Sequence, residues 1–149
     1  MRFSVGVVGR TEHLAEIEAL RGALPRHVYL WVNAYKDLGA YYSPDDRRRL
    51  ESVDPLFPVN AVRHASRGRA CRTGHTVISV DGDGTVRRCH FVRTPLGNLY
   101  APDFERVLQP RPCPNAACGC HIGYVHLEHL GLYETFGNGL LERIPAQQI

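Results

Sequence analysis

All five cysteines of the chain, Cys71, Cys89, Cys113, Cys118 and Cys120, stand in one third of the sequence with the spacing C-x17-C-x23-C-x4-C-x1-C. Random scatter of a small buried residue would seldom produce such a grouping. An odd number of thiols in a reducing compartment argues against a disulfide framework, and gathered thiolates are ligands for iron-sulfur clusters or for zinc. The expected chemistry is therefore metal ligation, with four of the five cysteines as ligands and one terminal cysteine spare. An iron-sulfur cluster is the first reading, zinc the second, and a site without metal the third. His121, His126 and His129 follow closely and are secondary candidates, since a histidine on an inward helix face is more commonly a satisfied core residue than a ligand.

Two segments have to bring these thiols together. Between Cys71 and Cys89 lie the β-branched runs Thr76–Val80 and Thr85–Arg88, joined by Asp81-Gly82-Asp83-Gly84. This predicts a β-hairpin, and its antiparallel strands return Cys89 to the end of the hairpin that holds Cys71. The Asp-Gly stretch is a turn and not a calcium loop, because the acidic residue at the twelfth position of such a loop is absent. The run from Cys113 to Cys120 then supplies three thiols, with Pro114 stiffening the chain and Gly119 allowing a tight C-x-C turn. After it, a helix from Ile122 to Phe136 would place Ile122, His126, His129, Tyr133 and Phe136 on one face.

The remaining sequence sets the frame. The chain has 149 residues and is 44% hydrophobic and 22% charged, the composition of an ordinary folded domain. No apolar run approaches the ~20 residues of a membrane helix, and the N-terminus lacks the features of a signal peptide, so a cytoplasmic location with no membrane partner is expected. The net charge is +3, Arg47-Arg48-Arg49 is the one basic run, and no nucleic-acid partner is expected. Residues 2–8 read as a strand. A helix follows, capped by Thr11, carrying Leu14, Ile17, Leu20 and Leu24, and stopped by Pro25. Residues 28–32 read as a second, parallel strand covered on both faces. Ser43 caps a short helix with Pro44 in its first turn, ending near Asp54. Residues 58–68 read as a linker. Such a β-α-β unit leaves both sheet edges unpaired and one face bare, which implies a partner that completes it, an exchange between copies, or a longer protein.

Cys71-x-x-Gly74, the hairpin Val77–Val86 with its Asp-Gly turn, the returning Cys89 and the Gly97-Asn98 segment together resemble the SPASM or twitch extension of radical SAM enzymes. The resemblance covers about residues 66–121 and includes a short helix from Asp103 to Leu108. The terminal cysteines depart from the full SPASM ending, so the shorter twitch-like form with one auxiliary 4Fe-4S cluster is implied. The C-x3-C-x2-C loop that binds the SAM cluster in that family is absent from this sequence. The resemblance thus implies an α/β chain in which residues 1–62 are a partial β/α-barrel remnant and residues 63–149 a cysteine-rich hairpin plus helix module. It further implies the C-terminal portion of a radical SAM protein, not catalytic by itself. SAM would bind only in a full-length protein, and the partner would be the missing N-terminal portion, in the same or a separate chain, with self-association also possible. A zinc-stabilised interaction module and a small electron carrier are the alternatives.

Overall fold

The computed structural model describes residues 3–36 and 39–148, so Arg2, expected to open the first strand, lies outside the described residues. The chain forms two compact units, one of Met1–Arg63 with Tyr133–Ile149 and one of His64–Leu132. No helix among the described residues is long and apolar enough to cross a membrane.

The first unit is built from β1 (Ser4–Gly9), α1 (Leu14–Ala23), β2 (Tyr29–Ala34), α2 (Pro44–Val53) and α3 (Phe57–Asn60). β1 and β2 pair in parallel, with Ser4 opposite Tyr29 and Gly9 opposite Ala34. Strand alternation sends Val5 and Val7 of β1 and Leu30, Val32 and Ala34 of β2 to one face, where they pack with Leu14 and Ile17 of α1, Leu50 and Val53 of α2, and Phe57. Leu30, Leu50 and Phe57 are wholly buried. α2 begins as its sequence dictates: the Asp46 amide donates to Ser43 Oγ at 3.2 Å and the Ser43 amide to Asp46 Oδ2 at 2.9 Å, a reciprocal cap contributing about 1 kcal/mol. Thr11 does not cap α1. A 3-10 turn, Thr11–His13, precedes that helix, and the Thr11 amide donates instead to the Tyr41 hydroxyl at 3.1 Å.

The second unit holds β3 (His64–Ala65), β4 (Ser79–Val80), β5 (Thr85–Arg87), β6 (Pro95–Asn98), β7 (Ala117–Cys118) and α4 (His121–Tyr124). β4, β5 and β6 form an antiparallel meander in which Val80 faces Val86 and Val86 faces Gly97. The turn between β4 and β5 has Gly84 at φ +82°, a left-handed conformation that glycine adopts without strain. The side chain of Asp83 secures the turn by accepting from the Thr85 amide at 2.9 Å. β3 pairs with β7, placing His64 opposite Cys118. Residues 58–68, read as a linker, therefore carry the end of α3 and all of β3.

The helix expected from Ile122 to Phe136 is broken. α4 stops after one turn, a 3-10 turn covers Glu128–Leu130, Gly131 takes φ +61°, and α5 (Leu132–Phe136) starts anew. A left-handed residue interrupts helical periodicity, so the expected face does not form: Ile122 and His129 are exposed while His126 is buried.

Candidate functional site

The five cysteines are positioned by different elements. Cys71 forms a lone antiparallel bridge with Leu127, is 7% exposed, and holds its Sγ 3.1 Å from the Thr73 hydroxyl. Cys113 is 9% exposed and is laid beside residues 68 and 69, its amide donating to the Arg69 carbonyl at 2.9 Å and its carbonyl accepting from Gly68 at 2.8 Å. Cys89 follows β5 and is half-buried. Cys118 ends β7 with its sulfur against Gly123, where an added Cβ would lie 2.6 Å from Sγ and 3.3 Å from the Phe91 ring. Cys120 precedes α4, and its carbonyl accepts from the Gly123 and Tyr124 amides, both at 2.9 Å.

What draws the hairpin and the terminal run together is Arg88, a residue that no sequence pattern singles out. It is 4% exposed, and its guanidinium donates to the carbonyls of Arg111 at 2.9 Å and Pro112 at 2.5 Å. One arginine thus ties the residue before Cys89 to the residues before Cys113.

Four of the thiols share one electrostatic neighbourhood. Burial pushes the Cys118 thiol up to about 11, opposed by a backbone hydrogen bond from Cys120 and reinforced by Cys113, Cys89 and Cys71. Burial also raises Cys89, with Cys113 adding to the shift and Arg88 opposing it. Burial thus disfavours the thiolate form at both sulfurs.

Proximity does not amount to a metal site. Among the described residues, no group of three or more Cys, His, Asp or Glu side chains is arranged to hold a metal ion. This overturns the expected 4Fe-4S cluster at Cys71, Cys89, Cys113, Cys118 and Cys120, and the zinc alternative with it. The resemblance to a SPASM or twitch domain fails at its defining feature, and so do the readings as a fragment of a radical SAM enzyme, a zinc-stabilised module and an electron carrier. The physical reason lies in side-chain surroundings: Cys71 bridges to Leu127 and turns its sulfur to Thr73, and Cys118 packs on Gly123. The histidines do not supply the lack. His121 and His126 are each 5% exposed, His121 meets the Tyr124 ring edge-on at 5.5 Å, and burial, aided by Arg72, lowers His126. His129 is exposed.

A different feature stands out in the first unit, at the edges of its sheet. In a parallel pair, alternate residues of each strand direct both backbone groups toward the neighbour and the others direct both away. On β2 the outward amides are met by side chains: Val32 N–H donates to Asp54 Oδ2 at 2.8 Å and Ala34 N–H to Asn60 Oδ1 at 2.6 Å. Asp54 and Asn60 are buried, and Asp54 Oδ1 also accepts from the Tyr29 hydroxyl at 2.5 Å and the Leu56 amide at 2.9 Å. Burial raises the Asp54 carboxyl, and these three hydrogen bonds, with Arg143, act against the rise. The two side chains occupy the place a third strand would take.

On β1 the same alternation turns the backbone groups of Ser4, Gly6 and Val8 outward. The Val8 carbonyl accepts from the Arg10 amide at 2.9 Å, and no side chain among the described residues caps the outward amides of Gly6 and Val8. The second face of this sheet is covered in part, while Val8 on it stays half exposed. Trp31 lies over Gly6, where a Cβ would come within 2.1 Å of the ring, and its Nε1 donates to Ser4 Oγ at 3.2 Å. Arg143 stacks its guanidinium 3.7 Å from the Trp31 ring centroid, and Ser4 Oγ donates to the carbonyl of Glu142. The β-α-β unit therefore has one open edge where two were expected, and no bare face over Trp31.

Comparison with models of known protein families, with curated proteins and with solved structures finds no match for this chain.

Proposed function

We propose that this chain is an assembly module that binds a second copy of itself through β1, joining two two-stranded sheets into one of four strands. The observation that carries the reading is the unequal treatment of the two edges: β2 is sealed by Asp54 and Asn60, while β1 is left able to pair. Folded proteins ordinarily blunt exposed edges with lysine, proline, bulges or inward charges, and β1, Ser4-Val5-Gly6-Val7-Val8-Gly9, has none of these.

The sequence of the edge favours a second copy over a different chain. An antiparallel pairing about a two-fold axis at Gly6 sets Gly6 against Gly6 and Ser4 against Val8 of the second copy, with about four backbone hydrogen bonds formed, since the Val8 carbonyl is already taken by the Arg10 amide. The strand carries no charge, so no like charges oppose one another along it. Arg10 lies beyond the paired residues and is engaged by Glu12 at 2.5 Å.

Sedimentation velocity over a wide concentration range tests this. The wild-type chain should pass from monomer to dimer and stop there. Val8→Pro removes an outward amide at an edge position where proline is tolerated, so it should leave the circular dichroism unchanged and yield a monomer. A wild-type chain that stays monomeric when concentrated, or a Val8→Pro variant that still dimerises, would refute the proposal.

A further inference from the structure

A cavity of about 250 Å³ opens within the first unit, where separate stretches of its sequence meet. β2 contributes Tyr29 to the lining and the turn between α2 and α3 contributes Pro55. α5 adds Glu134 and Thr135, and the C-terminal segment adds Pro145 and Gln147.

Hydrogen-bonding capacity around this cavity is lopsided. The Tyr29 hydroxyl gives its single proton to Asp54 Oδ1 at 2.5 Å, and the amide of Leu56, another lining residue, donates to the same oxygen at 2.9 Å, so neither has a donor left to offer. Pro55 and Pro145 carry no N–H and bring only carbonyl oxygens. No Lys, Arg or His stands among the lining residues, and their one formal charge is the Glu134 carboxylate, an acceptor without a proton to give. The side chains of Glu134, Thr135 and Gln147 enter no hydrogen bond or ion pair with the other described residues.

Such a lining suits a ligand that brings both donors and positive charge. An anion would meet the Glu134 carboxylate with no lining cation to offset it. The proline rings and Leu56 supply apolar surface, so a ligand with a hydrophobic body is accommodated as well. The space is roughly the liquid volume of eight water molecules, which limits the ligand to about that many heavy atoms.

We infer that this cavity binds a small organic cation, an ammonium, guanidinium or amidinium group on a compact apolar body, with the Glu134 carboxylate receiving the charged end and Thr135 and Gln147 offering the neighbouring oxygens. The inference does not depend on the pairing of β1, since no residue of that strand lines the cavity.

Benzamidine, benzamide and benzoate test it, because they share one ring and differ chiefly in charge: positive, neutral and negative at neutral pH. Each is titrated into the full chain while the backbone amide resonances are followed by two-dimensional NMR. Benzamidine should give saturable shifts centred on Leu56, Glu134, Thr135 and Gln147, with a dissociation constant of roughly 0.1–1 mM, as expected for so small a ligand. Benzamide should bind at least about tenfold more weakly, and benzoate should not bind. Glu134→Gln keeps the size of the side chain and removes its charge. Glu134 is exposed, so circular dichroism and thermal unfolding should be unchanged in this variant while benzamidine binding falls by roughly tenfold or more.

Benzamide or benzoate binding as tightly as benzamidine, or shifts centred away from the lining residues, overturns the inference. So does a Glu134→Gln chain that binds benzamidine like the wild type, or a wild-type chain that shows no shift at about 10 mM benzamidine.

Discussion

Replacing Asn60 by alanine removes the acceptor for one buried amide. Ala34 is 7% exposed and its N–H lies 2.6 Å from Asn60 Oδ1, so Asn60→Ala leaves that donor inside the protein with no oxygen to meet. A buried donor stripped of its partner costs about 1–3 kcal/mol, more than the net worth of the hydrogen bond, because the group has lost water as well. In a domain of about 60–100 residues each kcal/mol moves the melting temperature by about 4–8 °C, so a fall of roughly 4–24 °C is expected for the first unit. A second effect should accompany it if the proposed β1 pairing holds: with part of the β2 edge unsealed, the chain would have another strand to offer and could add copies beyond the dimer. Thermal unfolding, hydrogen exchange at the Ala34 amide and sedimentation of the same sample would read all of this. The variant should melt lower, exchange Ala34 faster and show species larger than a dimer. An Asn60→Ala protein with unchanged melting and an Ala34 amide as protected as in the wild type would refute the role given to this side chain.

Three further outcomes follow from the second unit and are checked independently. Gly123→Ala places a methyl 2.6 Å from Cys118 Sγ and should destabilise the unit by about 1–3 kcal/mol in urea unfolding; Cys118→Ala in the same chain should restore most of it, and no rescue would show the strain to lie elsewhere. Because Cys118 is raised to about 11, its alkylation by iodoacetamide, followed residue by residue by mass spectrometry, should be slow at neutral pH and accelerate well above the pH at which a free cysteine ionises; rapid labelling at pH 7 would contradict this. His126 is lowered from its ordinary 6.5 by burial and by Arg72, so the unfolded chain takes up a proton more readily than the folded one. Its contribution to stability is then intact above pH 6.5 and is lost as the pH falls through the lowered folded value, and His126→Gln should flatten that part of the stability profile.

Local chemistry was legible in the sequence and distant chemistry was not. The Ser43 cap with Asp46 could be read directly, since its partners are three residues apart, and so could the β4–β5 hairpin, whose Asp-Gly turn imposes its own geometry. The seal on β2 had no such trace: Asp54 and Asn60 reach Val32 and Ala34 from 22 and 26 residues away, and an aspartate before a proline reads as the end of a helix. The broken helix after Cys120 was hidden because apolar spacing ran through Gly131, and only the fold sets that residue at φ +61°. The thiols show the sharpest division. Their spacing was read as a gathered site, yet sulfur surroundings depend on Thr73, Gly123 and the Arg88 clamp, none of which the cysteine spacing encodes.

The stacking of Arg143 on Trp31 gives the molecule an optical reporter of its own. The chain contains a single tryptophan, so its fluescence comes from one site without dissection. The indole rests on the backbone of Gly6 with a guanidinium 3.7 Å from its centroid, shielded from bulk water on both sides. Lifting the segment that carries Glu142 and Arg143 would hydrate the ring and move its emission to longer wavelength. The colour of that one residue thus records whether the C-terminal segment is seated on the sheet, in a dilute solution in a cuvette.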